Sequence, residues 1–303
     1  MIDVTSDLFA DLLRLPDGLF TRQDAVRAGV RDRVIAAAVH RRLIVRVCRG
    51  VYTSPGPLTV DEQRHLVARA ALRSYEDAVL VGAPAVAAHG IPLFEVLALP
   101  GDIARPIVRE ARTAQLRIRP LRHASVETDW GPATDLPTSL LQLTMDHGIP
   151  AGIASIDAAL HTGATDTDAL QAALGEIAAW PRSSRARCAI AWSDGRAESL
   201  GESVTRAILR GAGYRVDSQV RIADGDGVVV ARVDLGIEGT HVLLEFDGKV
   251  KYTDGGPDAL FREKKREDRI RSLGYVVIRV TWADLFHAER IVRAVRDALA
   301  AAA

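Results

Sequence analysis

Thiols are scarce in this chain: among 303 residues there are two cysteines, Cys48 and Cys188, and two methionines. The cysteines lie far apart and form neither a CxxC pair nor a Cys/His ligand spacing. That excludes a zinc finger or ribbon and a disulfide-stapled fold, and it fits a reducing compartment. Net charge is lacking too, since Lys plus Arg and Asp plus Glu both total 39. Global charge therefore identifies no partner, and a nucleic-acid surface would have to be a local concentration of basic residues. The apolar runs are strand-sized, far short of the ~20 residues of a membrane span. Asp3 and Asp7 without an apolar run are not a signal peptide, so a cytoplasmic protein with no membrane partner is expected. No GxxxxGK[ST] loop, GxGxxG fingerprint or HExxH pair occurs. The run Gly201-Glu202-Ser203-Val204-Thr205 lacks the second glycine of a nucleophile elbow, which argues against a serine hydrolase. His89, His123, His147 and His161 show no ligand spacing.

What is present is a chain of soluble composition, 48% hydrophobic and 26% charged, long enough for two or three cores. Residues 6–53 read as three helices and a β-hairpin. Leu8, Leu12 and Leu15 share a helical face, and Pro16-Asp17-Gly18 ends that helix. Thr21 with Asp24 forms a capping box for a helix that stops at Gly29. Val34, Ile35, Ala38 and Val39 mark the buried side of a third helix. Leu43 to Tyr52 then reads as a β-rich run broken at Arg49-Gly50, the shape of a wing. Six arginines (Arg31, Arg33, Arg41, Arg42, Arg46, Arg49) and His40 fall in this helix and hairpin against one acid, Asp32. That excess suits a recognition helix in the major groove of double-stranded DNA, with a wing on the backbone. Arg31 and Arg33 would read base edges, and Arg46 and Arg49 would hold phosphates. The bland alternative is a small helical domain with arginines for solubility.

Ser54-Pro55-Gly56-Pro57 reads as a linker. Residues 58–190 read as a middle α+β domain with a helix near 60–74, a strand at Val79–Val81, and small-residue helices at Ile153–Leu160 and Thr167–Ile177. From 191 to 303 the order is helix (Glu198–Leu209), strands at Val216–Ile222, Val228–Leu235 and His241–Phe246, a charged helix, strand Tyr275–Val280 and a last amphipathic helix. The expected fold class is thus α/β and multi-domain: winged helix 1–57, middle domain 58–190, and an α/β/α domain 191–303.

The main chemical signal lies between Arg232 and Tyr252. Side chains alternate along strands, so Asp234 opposes the Val233/Leu235 face, and Glu245 and Asp247 oppose the Val242/Leu244/Phe246 face. A two-residue type II′ turn with Gly239 first pairs 238 with 241, and therefore Asp234 with Glu245. Facing carboxylates repel, and a hard divalent cation, Mg²⁺ or Mn²⁺, relieves the penalty. Asp234 and Glu245 are the expected metal ligands, with Asp247 and Glu202 supporting. Lys249 or Lys251 would be the cation that meets a phosphate. Competing readings are a Glu202–Arg206 salt bridge one helical turn apart, a solvent-facing Glu202, a plain turn at Asp247-Gly248, and a solvated face on the charged helix (Arg262, Lys264, Lys265, Arg266, Arg269, Arg271).

These residues carry a resemblance. Glu202-Ser203-x-x-Arg206, Arg232-Val233-Asp234, Glu245-Phe246-Asp247-Gly248, the basic helix and Gly274 to Trp282 (GYVVIRVTW) resemble the PD-(D/E)XK nuclease superfamily, in its branch related to very-short-patch-repair endonucleases. Asp247 stands where many members have lysine, and Lys251 where the branch usually has histidine. Gly18 to Thr21, Arg49 to Tyr52, Val79 to Leu93 and Leu136 to Asp157 are similar to AbiEi-family antitoxins. The resemblances imply a restriction-endonuclease-like domain hydrolysing DNA phosphodiesters with Mg²⁺, or a non-enzymatic type IV antitoxin and autorepressor with a degenerate nuclease fold. They also imply a cognate nucleotidyltransferase-like toxin as partner, and they leave a homodimer open.

Overall fold

Short-range chemistry sets the first elements. In the computed structural model, which describes residues 4–15, 18–94, 101–248 and 257–301, α1 (Val4–Leu13) buries Phe9 and Leu12 and leads to β1 (Leu19–Thr21). The Thr21 hydroxyl accepts the Asp24 N–H, and the Asp24 carboxylate accepts the Thr21 N–H. This reciprocal cap starts α2 (Arg22–Arg27). Then come α3 (Asp32–His40), β2 (Val45–Cys48) and β3 (Val51–Thr53). Gly50, at φ +76, makes the wing turn. The antiparallel sheet has the order β1-β3-β2. The three helices and hairpin are those expected, and β1 is an addition. Leu8's side chain and the Pro16-Asp17 stop lie outside the described residues.

The chain divides into two compact units: Met1–Gly90 with Val96–Gln142, and Ile91–Glu95 with Leu143–Ala303. The division falls at neither 57 nor 190, and the reasons lie in the packing. Near 57, α4 (Val60–Ser74) is bound to the wing: the Cys48 thiol donates to the Ala70 carbonyl at 3.4 Å and lies 2.9 Å from the Ser74 hydroxyl. Leu19, Val47 and Val51 share one buried cluster with Ala68, Ala71 and Leu80. Beyond α4 come β4 (Val79–Leu80), α5 (Gly82–Ala88), β5 (Gly101–Arg105), β6 (Ala111–Arg112), β7 (Leu116–Pro120), β8 (Ser125–Thr128) and β9 (Gly131–Thr134). They form a sheet of order β6-β7-β5-β4-β9-β8, where only one strand was expected. α6 (Leu136–His147) contains the division.

In the second unit α7 (Ile149–His161), α8 (Thr167–Glu176) and α9 (Ser183–Trp192) precede α10 (Leu200–Gly211). The sheet follows as β10 (Val216–Ala223), β11 (Val229–Ile237) and β12 (Val242–Asp247). After α11 (Pro257–Ser272) come β13 (Val276–Thr281), α12 (Trp282–Leu285) and α13 (Ala288–Ala301). The order is β10-β11-β12-β13, antiparallel except for the parallel β12–β13 pair. Val242 and Leu244 join Val204 and Leu209 of α10 and Ile291 and Val295 of α13 on one face. On the other, Leu243 packs with Ile270 of α11.

Residue 190 fails as a boundary because α7 and α10 share a buried ion pair. Arg206 is bonded to Asp157, both side chains 1% exposed, and also donates to the Trp192 carbonyl at 2.5 Å. A charge that deep is tolerated only when paired, so helices before 190 complete the C-terminal core. Among the described residues, then, thirteen helices and three sheets make a mixed α/β protein. No described helix is long and apolar enough to cross a membrane.

Candidate functional site

The first unit presents the arginine cluster. Gly29, at φ +80, ends α2, and Arg31 caps α3 without a side-chain bond. Asp32, in the first turn of α3, takes a two-point bond from Arg22 (2.7 and 2.5 Å). That hydrogen bond, helped by the attraction between the charges, holds the Asp32 carboxyl below its usual range. α3 buries Ile35 and Ala38, and its outer face carries Arg33, Ala36, Ala37 and His40. The two alanines leave room for close approach between the flanking cations. Arg31, Arg33, Arg41, Arg42, Arg46 and Arg49 are all exposed. Arg31, Arg33, Arg41 and Arg42 make no side-chain bond within the described residues. Arg46 donates to the Cys48 carbonyl at 3.2 Å, which lays it along the wing strand.

One of these arginines is held at a cost. α3 ends with the Leu43 N–H on the Ala38 carbonyl (2.9 Å) and the Arg42 N–H on the Val39 carbonyl (3.1 Å), with Arg42 at φ +57. This is a helix stop whose left-handed position is usually glycine. An arginine there gives up ~1–2 kcal/mol.

The second unit presents the carboxylates. β11 and β12 pair Leu235 with Leu244 and Gly236 with Leu243, the expected register. The turn differs: the Thr240 N–H bonds the Ile237 carbonyl at 3.2 Å, so Gly239 (φ +74) is its third residue rather than its first central one. The ladder stops one step short of Asp234 and Glu245. There the Asp234 carboxylate accepts the Phe246 N–H at 2.8 Å. Glu245, with 15% of its side chain exposed, accepts from Arg266 of α11 at 2.6 Å. Asp247 continues β12 in register with Thr281 of β13.

Glu202 sits elsewhere than either plain reading places it. It is 6% exposed, so it is not a solvent-facing residue, and Arg206 is bonded to Asp157, so the one-turn salt bridge is not formed. The Glu202 carboxylate accepts from the Ser199 hydroxyl (2.8 Å), the Glu198 N–H (3.0 Å) and the Gln219 amide (2.9 Å). Beside it, Gly201 is the only residue that fits: a Cβ there would meet the Phe246 ring at 2.2 Å. That close approach seats β12 against the first turn of α10.

Among the described residues no group of three His, Cys, Asp or Glu side chains could hold a metal ion. The expected four-carboxylate cluster of Asp234, Glu245, Asp247 and Glu202 is therefore not assembled; the strand register brings Asp234 and Glu245 toward each other, and Glu202 is bound up in the cap of α10. Lys249 and Lys251 lie outside the described residues. Arg266 and Gln219 are the additions. Arg266 was visible in the sequence only as one cation of a basic helix, and no local signal marks Gln219. No protein-family model matches the chain, and no curated protein compared with it is similar.

Proposed function

We propose that the protein binds duplex DNA through α3 and the wing, and that its C-terminal unit is a PD-(D/E)XK-like domain acting on DNA phosphodiesters with a divalent cation. The observation that carries the DNA reading is the row of exposed arginines around α3, one of them, Arg42, kept where glycine would be cheaper. A strained residue that the surroundings maintain points to use rather than to stability. In this reading Arg31 and Arg33 meet base edges, and Arg41, Arg42, Arg46 and Arg49 meet phosphates. The similarity of this region to AbiEi-family antitoxins supports the same assignment.

The carboxylate pair fits a hard cation in its donor chemistry. Mg²⁺ is commonly held by one or two protein carboxylates with water and substrate oxygens completing its shell, and two is what Asp234 and Glu245 supply. The ion, when bound, would polarise water and offset charge on the phosphodiester. The Phe246 N–H fixes one Asp234 oxygen and leaves the other to face the pair. Arg266 orients Glu245 and brings a guanidinium to the site, suited to a phosphate oxygen.

A second reading is a non-enzymatic antitoxin and autorepressor with a cognate nucleotidyltransferase-like toxin. The Arg266–Glu245 pair favours it, because a guanidinium already neutralises the carboxylate that would otherwise call for a metal. The two readings part on nicking of supercoiled plasmid with Mg²⁺ or Mn²⁺: activity lost in Asp234→Asn and Glu245→Gln supports the enzyme. No nicking by the wild-type chain of any duplex, single-stranded or mismatched DNA leaves the repressor. The DNA reading itself is tested by fluorescence anisotropy on a duplex library. Arg31→Ala/Arg33→Ala should relax sequence preference, and Arg46→Ala or Arg49→Ala should each flatten the salt slope by about one unit. Arg42→Gly should raise Tm while weakening binding. A chain that binds no duplex at low salt would overturn the assignment.

A further inference from the structure

Among the described residues Gln219 alone is a non-glycine residue inside a β-strand at positive φ, +56. It lies between the pairs Ser218–Leu235 and Val220–Val233, opposite Asp234. At this point the β10–β11 hairpin changes core. Val216, Leu235 and Ile237 pack with α10 and α13, whereas Val220, Ile222, Ala231 and Val233 pack with Ile270 of α11. A left-handed residue in mid-strand persists only where its surroundings impose it, and such kinks gather at functional sites.

What imposes it is Glu202. Gln219 Nε2 donates to Glu202 Oε2 at 2.9 Å. A carboxylate only accepts, so the NH₂ end of the amide must face Glu202 and its carbonyl must face away. Glu202 cannot swing, because Ser199 and the Glu198 N–H hold it from the α10 cap. The cap of α10 thereby fixes the amide of the residue that lies across from Asp234, and no other bond to a described residue claims the Gln219 carbonyl.

We propose that Gln219 is a positioning residue of the carboxylate site, and that Glu202 acts through it rather than as a ligand. The oriented amide carbonyl adds a neutral oxygen beside Asp234 and Glu245, for a divalent cation or for water bound to one. A neutral donor raises the oxygen count without the repulsion that a third carboxylate brings. It also accounts for a site in which two acids, not four, converge. This inference rests on the metal-site reading above.

The test is isothermal titration of the full chain with Mn²⁺, alongside thermal unfolding. Gln219→Gly should lower Mn²⁺ affinity about tenfold, the effect of losing a residue that orients a metal site, while Tm holds or rises because glycine accepts the backbone angle. Gln219→Ala keeps the strain and loses the amide, so it should show the same loss of affinity with a lower Tm. Glu202→Gln still offers an oxygen to the amide and should retain most of the affinity. Asp234→Asn should abolish binding. If Asp234→Asn abolishes binding but both Gln219 variants match wild type, the role of Gln219 is wrong and the metal site stands. Glu202→Gln failing as completely as Asp234→Asn would make Glu202 a direct ligand and overturn the inference. A wild-type chain that binds no Mn²⁺ overturns both.

Discussion

Asp157→Ala is the most demanding test of how the second unit is built. The change leaves the Arg206 guanidinium fully buried, with the Trp192 carbonyl at 2.5 Å as its remaining partner, and it strands the Asp194 N–H that bonds Asp157 at 2.7 Å. Removing one member of a buried pair costs ~3–5 kcal/mol, because the survivor is left charged in a low-dielectric interior. For a unit of this size each kcal/mol moves Tm by about 2–4 °C, so a fall of about 6–20 °C is expected. Scanning calorimetry of the full chain should show it in the transition of the second unit. The double variant Asp157→Leu/Arg206→Met should recover much of the loss, since an apolar pair carries no desolvation penalty. A fall under about 3 °C, or roughly 1 kcal/mol, would refute the reasoning: the pair would then be hydrated and α7 would not be integral to the core.

The same pair predicts fragment behaviour. Residues 191–303 carry Arg206 without Asp157 and should lack a cooperative unfolding transition, whereas 143–303 should have one; a sharp transition in the shorter piece would restore the boundary at 190. A pH dependence follows from Asp194. Burial alone would raise its carboxyl, but the Arg196 guanidinium and N–H and the Ser218 hydroxyl outweigh that and hold it at about 2, against an ordinary 3.8. A lowered folded-state value means stabilisation that is full above pH 3.8 and lost as pH falls through about 2. The stability gap between wild type and Asp194→Asn in urea titrations should thus be open at pH 6 and close toward pH 2; a gap independent of pH would contradict it.

How much of this was legible in the sequence depended on range. The Thr21–Asp24 cap and the bounds of α10 are written within one helical turn, and the Leu235–Leu244 register follows from alternation across a short loop. The six-stranded sheet went unread although Leu116-Arg117-Ile118-Arg119 alternates cleanly in burial; strands of two to five residues offer too few periods. Asp157 and Arg206 are 49 residues apart, and nothing local to either says that the other will neutralise it. The candidate site shows the same divide. The Asp234/Glu245 register was readable, but Glu202's commitment to Ser199 and Gln219, and Arg266's to Glu245, depend on tertiary placement. Gln219 could not be found at all, since a left-handed glutamine contradicts the residue preference by which such positions are recognised.

The segment at Ile91 is separated from its unit by the chain's own path. Phe94 stacks with Trp282 and Phe286, ring centroids 6.2 and 6.0 Å apart. On a ribosome these partners emerge long after it, roughly 10–40 s later at 5–20 residues per second. Through that interval the nascent chain carries an aromatic with nothing to cover it, while the residues around it in sequence can already fold into the first unit. The gene therefore cannot be cut once to yield two self-sufficient halves, and slow translation of its last third would prolong the time in which Phe94 is a hydrophobic target for chaperones or for another nascent chain.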